Sequence, residues 1–397
     1  MNSFIYKYPV KIYSGKGCTE NSLKTELLKT GKNVLFAFGG GSVKKTGLYD
    51  KIHNLLKEAG KTVTDFGGIM PNPTYAKVQE GAKIVRERKI DFILAVGGGS
   101  VIDACKIISA QSLLPKGTDI WEYEYSERKF PTDFIPMGVV VTSSGTGAEN
   151  NNGAVITHEE KKLKSALWGA FADFAILDSD ITATVPFNQT ISGAFDTFSH
   201  AMETYFGNTG ENQLINLSDE INESIMRNTI KNIRVLIAHP NSCDFENQTA
   251  RSELMWSSAM AENGILKLGK TTDFQCHMIE HQLGAYTDCN HGYGLAVIHP
   301  IVYRHIYKNA IEKFARFARE VWKINPEGKS QEEIALCGIN SLADFIKEIG
   351  LPAKFSEMNI SLDEKTISAI AKSTTRTQGC CKKLSDEEIE EILRECR

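Results

Sequence analysis

The chain has 397 residues, 42% of them hydrophobic and 24% charged, with a formal net charge of −4, enough length for two domains with separate cores. Its slightly acidic balance, without any long basic run, argues against nucleic acid or an anionic membrane as partner. No window approaches about 18 uninterrupted apolar residues, the start MNSFIYKYPVKIYSGKG has no charged segment leading into an apolar one, and nine irregularly placed cysteines read as reduced thiols, so a cytoplasmic chain is expected.

Strand-type and helix-type runs alternate through the first 186 residues. A first strand is expected near Pro9 to Tyr13. The run Asn33 to Phe38 (NVLFAF) predicts a buried strand ending at Gly39, Gly40, Gly41 and Ser42, after which Leu48, Ile52, Leu55, Leu56 and Ala59 recur at helical spacing. A short strand, Thr62 to Phe66, follows. Pro71-Asn72-Pro73 breaks the chain before Thr74, a residue suited to cap a helix that turns Val78, Ala82 and Val85 inward. Phe92 to Val96 (FILAV) is the next strand and runs into Gly97, Gly98, Gly99 and Ser100; a helix is expected from Ser100 to Ser112 and another strand from Ile135 to Val141. Such alternation predicts a parallel sheet covered on both faces.

Two Gly-Gly-Gly-Ser turns at the carboxyl ends of predicted strands stand where open α/β sheets bind ligands, and bare backbone N–H groups there can approach phosphate oxygens. Neither fits Gly-x-Gly-x-x-Gly. Thr142-Ser143-Ser144-Gly145-Thr146-Gly147-Ala148-Glu149 is a third small-residue turn after a strand, and short β runs at Ala154 to Ile156 and Phe174 to Leu177 flank Lys162. Pro186 marks the predicted boundary, giving an α/β dinucleotide-binding domain over 1–186 and an all-helical metal domain over 187–397, with a cleft between them. In the second half, helices are predicted over Leu214 to Leu236 and Glu332 to Ile349, the latter stopping at Gly350, and from Ser385-Asp-Glu-Glu388, a capping box.

The chemistry concentrates between Thr272 and Pro300. Five of the nine histidines lie between His277 and His305. His277 and His281 are four apart on a predicted helix, so both project from one face; Asp196 and His200 repeat that spacing upstream, and His291 follows in a glycine-containing turn. Burying so many basic side chains without a partner is unfavourable by several kcal/mol, so a shared metal ion is the economical explanation. Nitrogen and carboxylate donors suit Zn²⁺ or Fe²⁺, with Mn²⁺ or Ni²⁺ further down. Cys276 and Cys289 adjoin these residues, but neighbours on a helix point in different directions. On spacing alone His281 stands equal to the others as a ligand.

With these residues in view, the chain resembles the iron-containing (group III) alcohol dehydrogenases, and within them the NADPH-dependent butanol dehydrogenase or aldehyde reductase branch. Gly97-Gly-Gly-Ser-Val-Ile-Asp103-Ala-Cys-Lys106 is similar to the family's diphosphate-binding signature. The Thr142 to Glu149 turn is similar to Thr-x-x-Gly-Thr-Gly-Ser-Glu, with Ala148 in place of Ser. The resemblance implies Asp196, His200, His277 and His291 as metal ligands, with His281 lining the site as the catalytic proton carrier. It implies cofactor contacts from Gly39 to Ser42, Asn72, Gly97 to Ser100, Asp103, Thr142, Ser143 and Lys162. Where NAD-using relatives carry an Asp after the first strand of the fold, this chain has Gly39 to Ser42 with Lys44 and Lys45 beyond; no carboxylate repels a 2′-phosphate, so NADP(H) is expected. The implied enzyme is a homodimeric oxidoreductase acting on short- to medium-chain aldehydes or primary alcohols such as butanal and butanol, with Fe²⁺ ahead of Zn²⁺. Glycerol dehydrogenase or a dehydroquinate-synthase-like lyase shares the expected cofactor domain, and His277-Met-Ile-Glu280-His281 also fits the inverted zinc-peptidase pattern H-x-x-E-H.

Overall fold

A computed structural model of the protein describes residues 3–208, 216–240, 242 and 244–397. Its strands are β1 (Lys11–Ser14), β2 (Asn33–Phe38), β3 (Thr62–Phe66), β4 (Phe92–Gly97), β5 (Met137–Val141), β6 (Gly153–His158), β7 (Leu163–Trp168) and β8 (Phe174–Leu177). Interleaved with them are α1 (Thr19–Leu27), α2 (Ser42–Lys45), α3 (Leu48–Glu58), α4 (Tyr75–Arg88), α5 (Gly99–Leu113) and α6 (Ser179–Thr182). Beyond Pro186 come helices α7 (Phe187–Tyr205), α8 (Leu217–Ala238), α9 (Phe245–Glu262), α10 (Gln275–Thr287), α11 (His291–Ile306), α12 (Ile311–Glu320), α13 (Gln331–Glu348), α14 (Glu364–Ser373) and α15 (Asp386–Glu395).

Six strands pair in parallel in the order β1-β8-β5-β4-β2-β3. Successive side chains in a strand face opposite ways, and each set finds its own cover. Leu35, Ile93 and Val139 share a core with Val78 and Val85 of α4 and Ile102 of α5. Phe36, Leu94 and Val140 share another with Leu23 of α1 and Ile52 and Leu56 of α3. Coverage on both faces is why NVLFAF and FILAV are continuous apolar runs instead of alternating ones. The chain leaves β2 toward β3 on one side and returns to β4 on the other, so the winding direction reverses between the two strands that end in Gly-Gly-Gly-Ser.

The molecule divides into two compact units, Lys7–Pro186 with Cys243–Asn263, and Met1–Tyr6 with Phe187–Ser242 and Gly264–Arg397. The return of Cys243–Asn263 to the sheet unit departs from a single division at residue 186. Burial explains it: Met255 and Ala259 of α9 lie in the same apolar core as Leu35 and Val139.

Local signals hold in the helices. Thr74 accepts from Lys77 N at 3.2 Å as the N-cap of α4, Ser385 forms the capping box of α15, and Ser330 does the same for α13. The helix expected over Leu214 to Leu236 is α8; Leu214 and Ile215 lie outside the described residues. The β run at Ala154 to Ile156 is longer than expected and pairs antiparallel with β7. In β7, Leu163 and Leu167 face the core while Ser165, paired with Ile156, takes the apolar position between them, and Lys164 is buried on the opposite face, so the strand lacks a clean apolar alternation in the sequence. Among the described residues no helix is long and apolar enough to cross a membrane, and the described cysteines are free thiols.

Candidate functional site

In the helical unit three elements converge. Asp196, His200 and Glu203 fall on one face of α7, at spacings of four and three residues. His277, Glu280 and His281 come from α10, and His291 is the first residue of α11. The start of α11 is fixed by Asn290, whose Oδ1 accepts from Tyr293 N at 3.1 Å and from Ser192 Oγ at 2.5 Å. Gly292 makes that contact with α7 possible, since a Cβ there would lie 2.4 Å from the Ser192 carbonyl oxygen.

His277 Nε2 lies 3.5 Å and His291 Nε2 3.4 Å from Asp196 Oδ1. Asp196 Oδ1 and His277 Nε2 are buried and make no hydrogen bond. The donor set of these three residues lies within 4.8 Å of one another. A tetrahedral ion bound at about 2.1 Å holds its ligand atoms about 3.4 Å apart, so the residues fit a divalent cation. His200 stacks on His277 with ring centroids 4.6 Å apart, and its Nδ1 is 3.8 Å from Asp196 Oδ1; it faces the same carboxylate from slightly further away. His281 is buried, its ring 6.1 Å from that of His277 and 5.7 Å from that of His291. With Glu280 and His291 it forms a second, overlapping donor set.

Two carboxylates absent from the expected site complete it. Glu203 receives a hydrogen bond from the His277 Nδ1–H, and it also accepts from Cys276 N at 2.6 Å and His277 N at 3.3 Å. Glu280 receives the His291 Nδ1–H through Oε2, while its Oε1 accepts from Cys289 Sγ at 3.8 Å. With both oxygens so committed, Glu280 is not poised as the general base that H-x-x-E-H requires. The available signal was spacing: each Glu stands three residues after an expected ligand on its own helix, His200 and His277 respectively.

Electrostatics follow the contacts. Burial pushes the Asp196 carboxyl up, but the imidazoles of His200, His291 and His277 outweigh it and hold the group well below the usual carboxylate range. Burial pushes His277 down, yet Glu203 and Asp196 raise it to about 10; against the same burial, Glu280 and Asp196 raise His291. A pocket that stabilises positive charge on buried rings is one that attracts a cation. Nearby, burial and then the Glu203 charge push Asp273 up to about 8.

In the sheet unit the turns are built from backbone. Gly98 is the N-cap of α5, and Thr142 N donates to Gly97 O at 3.0 Å, extending the ladder into the next turn. A Cβ on Gly99 would meet Thr146 Oγ1 at 2.5 Å, and one on Gly98 would meet Ser143 Cβ at 3.3 Å, so Gly97 to Ser100 and Thr142 to Thr146 pack directly on each other. Ser258 of α9 accepts from Gly145 N at 2.9 Å and Gly147 N at 3.0 Å, a fastening that spacing alone did not predict. Gly39 and Gly40 lead to Gly41, at φ 128, and to the single helical turn that begins at Ser42. Asn72 has φ 50, and its loop is tied to β6 through Thr157 N to Pro73 O at 3.0 Å. Asp103 directs Oδ2 to Val155 N at 2.9 Å, thereby fastening α5 to the hairpin, while Lys162 is exposed in the hairpin turn with φ 49.

Comparison with known proteins agrees with this layout. Residues 9–179 match the model of the iron-containing alcohol dehydrogenases, and residues 190–396 match that of the C-terminal part of the same family. The chain is 37% identical over 397 residues to the probable NADH-dependent butanol dehydrogenase 1 of Bacillus subtilis, covering 99% of each. It is 34% identical to the NADPH-dependent aldehyde reductase YqhD of Escherichia coli, over 94% of this chain and 92% of that one. Among solved structures, the NADH-dependent butanol dehydrogenase A of Thermotoga maritima superposes with a TM-score of 0.90 at 32% identity, covering 100% of this chain and 99% of the other. With model matches reaching from residue 9 to residue 396, and identity sustained over nearly the full length of both relatives, the chain belongs to the iron-containing alcohol dehydrogenase family.

Proposed function

We propose that this iron-type alcohol dehydrogenase uses NADP(H) to interconvert short- to medium-chain aldehydes and primary alcohols, butanal and butanol among them, with one divalent ion held by Asp196, His200, His277 and His291. The carrying observation is the approach of His277 Nε2 and His291 Nε2 to within 3.5 and 3.4 Å of one buried Asp196 oxygen. Iron is the expected metal and zinc the alternative, since three imidazoles and a carboxylate suit both. Such an ion, when bound, supplies Lewis acidity toward a carbonyl oxygen.

The chain's own groups do the rest. Asp196 offsets the charge of the ion, and the neutral imidazoles leave the site less negative than an all-carboxylate one. His281, buried beside His291, is the group that carries a proton to the forming alcohol. In the sheet unit, the N–H groups at the start of α5, beside Gly98 and Gly99, receive the cofactor diphosphate at a helix N-terminus. Asn72, Thr142, Ser143 and Lys162 are further cofactor contacts in this proposal, while Asp103 acts from behind by holding the hairpin.

Relatives named for NADH and for NADPH both match this chain, so the choice of nucleotide rests on its own residues. Gly39 to Ser42 carry no carboxylate after β2, and Lys44 Nζ is held 5.1 Å over the Phe38 ring and 4.9 Å over that of Tyr49, next to the turn. That arrangement favours a 2′-phosphate. A homodimer joined along β1, the edge of the sheet, belongs to the same proposal. The test is elemental analysis of the purified protein together with butanal-dependent oxidation of NADPH and NADH. Stoichiometric iron or zinc and a clear NADPH preference are expected; a metal-free protein with full activity would sink the assignment.

A further inference from the structure

Glu203 and Glu280 belong to no expected ligand set, yet both side chains are fully buried and each ends on the Nδ1 of a histidine whose Nε2 faces Asp196. A buried carboxylate opposite Nδ1 fixes the proton there, so Nε2 is the nitrogen that can give up its proton and turn its lone pair to a cation at the site. Glu203 has a second duty. α10 opens at Phe274 in the left-handed conformation, φ 56, without any side-chain cap of its own, and Glu203 of α7 reaches across to take the orphaned Cys276 and His277 N–H groups. One carboxylate therefore sets the tautomer of His277 and the position of the helix turn that carries it.

We propose that Glu203 and Glu280 are positioning residues for cation binding: they lock His277 and His291 in the Nδ1–H tautomer, and Glu203 also serves as the N-cap that α10 lacks. This rests on the metal reading above. The two are not equivalent. Glu203 holds three N–H groups and its partner His277 is buried, whereas the side chain of His291 is 25% exposed, so water can stand in for part of what Glu280 does.

Glu203→Gln makes the point chemically. Both Glu203 oxygens accept N–H donors, so an amide NH₂ must face either Cys276 N or His277 Nδ1, donor against donor. In the second case the ring is driven to the Nε2–H form, which has no lone pair for a metal. The experiment is titration of cobalt(II) into the metal-stripped full-length protein, read by visible absorption, with NADPH fluorescence and the thermal midpoint of the metal-free protein alongside. Glu203→Gln should bind cobalt about 10- to 100-fold more weakly than the wild type, and Glu280→Gln should fall at the low end of that range, with NADPH binding unchanged in both.

Gln275→Ala is the control. Gln275 anchors the same first turn of α10 to Leu384 N at 3.1 Å but does not touch His277 Nδ1, so it should lower the midpoint and leave cobalt affinity within about twofold. Wild-type cobalt affinity in Glu203→Gln, or an equal loss in Gln275→Ala, would overturn the proposal. If Glu203→Gln fails to fold, Glu280→Gln decides, and undiminished cobalt binding there counts against it. A wild type that binds no cobalt would refute the metal reading itself.

Discussion

The two units carry buried carboxylates of opposite character. In the helical unit Asp196 lies among imidazoles that outweigh its burial and keep it ionised. In the sheet unit Glu149, at the end of the Thr142 to Glu149 turn, is equally buried, but burial prevails over Lys106 and its hydrogen-bond partners and pushes it up to about 7. One region is thus poised to hold a cation, while the other mutes the Glu149 charge beside turns built of glycine, serine and threonine. The first site is made of charged side chains and the second depends on bare glycine backbone packed against its neighbours, so the two fail in opposite ways: one when atoms are removed, the other when atoms are added.

The largest effect is expected from removal. His277→Ala deletes the proposed ligand atom Nε2, 3.5 Å from Asp196 Oδ1. Turnover should drop by about a thousandfold or more, in line with several kcal/mol of lost Lewis-acid stabilisation. NADPH affinity, measured by fluorescence, should stay within about twofold because the sheet unit is untouched. Activity retained with the metal lost would break the comparison. Addition should act in reverse. Gly99→Ala places a methyl 2.5 Å from Thr146 Oγ1, an overpacking worth about 1–3 kcal/mol. NADPH binding should weaken by roughly 10- to 100-fold, with bound metal, measured by elemental analysis, at the wild-type level.

Legibility followed the same division. The strands of the parallel sheet and both glycine turns were plain in the sequence, because burial of a parallel strand leaves a continuous apolar run and a tight turn leaves glycine. The pairs Asp196/His200 and His277/His281 were visible as residue types rare enough to notice when spaced along a helix face, and His291 in a turn beyond them; setting His281 apart from the ligands came from the family resemblance and not from spacing. Glu203 was not, for a Glu on an amphipathic helix is ordinary until the fold shows that it is buried and what it faces. Ser258 escaped for a related reason: its helix, α9, returns to the sheet unit from far along the chain, and no local pattern announces a contact across more than a hundred residues. β7 was hidden because Ser165 interrupts its core-facing row between Leu163 and Leu167 while the opposite face buries a lysine, Lys164, so tertiary context overrides the alternation.

Nucleotide choice gives a smaller and sharper test. A Cβ at Gly39 would sit 3.3 Å from the Ile69 carbonyl oxygen, which asks only a few tenths of an ångström of its neighbour, so Gly39→Asp should fold. Its new carboxylate would repel a 2′-phosphate and accept a hydrogen bond from a ribose 2′-hydroxyl. The ratio of kcat/KM for NADPH to that for NADH should fall about tenfold, roughly 1.4 kcal/mol. An unchanged ratio would mean that the turn after β2 does not read the 2′ position, and the proposal of NADP(H) would lose its main support.

The last effect touches stability alone, concerns Glu149 and runs with pH. Its folded-state carboxyl titrates near 7, whereas an unfolded Glu titrates at about 4.3. Below the lower value both states are protonated and the group is neutral toward folding. As pH rises from there to about 7 the unfolded chain releases the proton and the folded one keeps it, so the unfolded state gains and stability falls; above 7 the loss is complete and flat. Glu149→Gln retains an acceptor for Asn150 Nδ2, which now donates to Glu149 at 2.8 Å, and removes the titration. Urea unfolding of the cofactor-free protein should therefore show the variant more stable than the wild type by about 1–3 kcal/mol at pH 8, with the gap shrinking as pH falls and nearly closed at about pH 4. A variant less stable at pH 8 would mean that the charged carboxylate is held by a partner after all, and the contrast between the two units would reduce to one of degree.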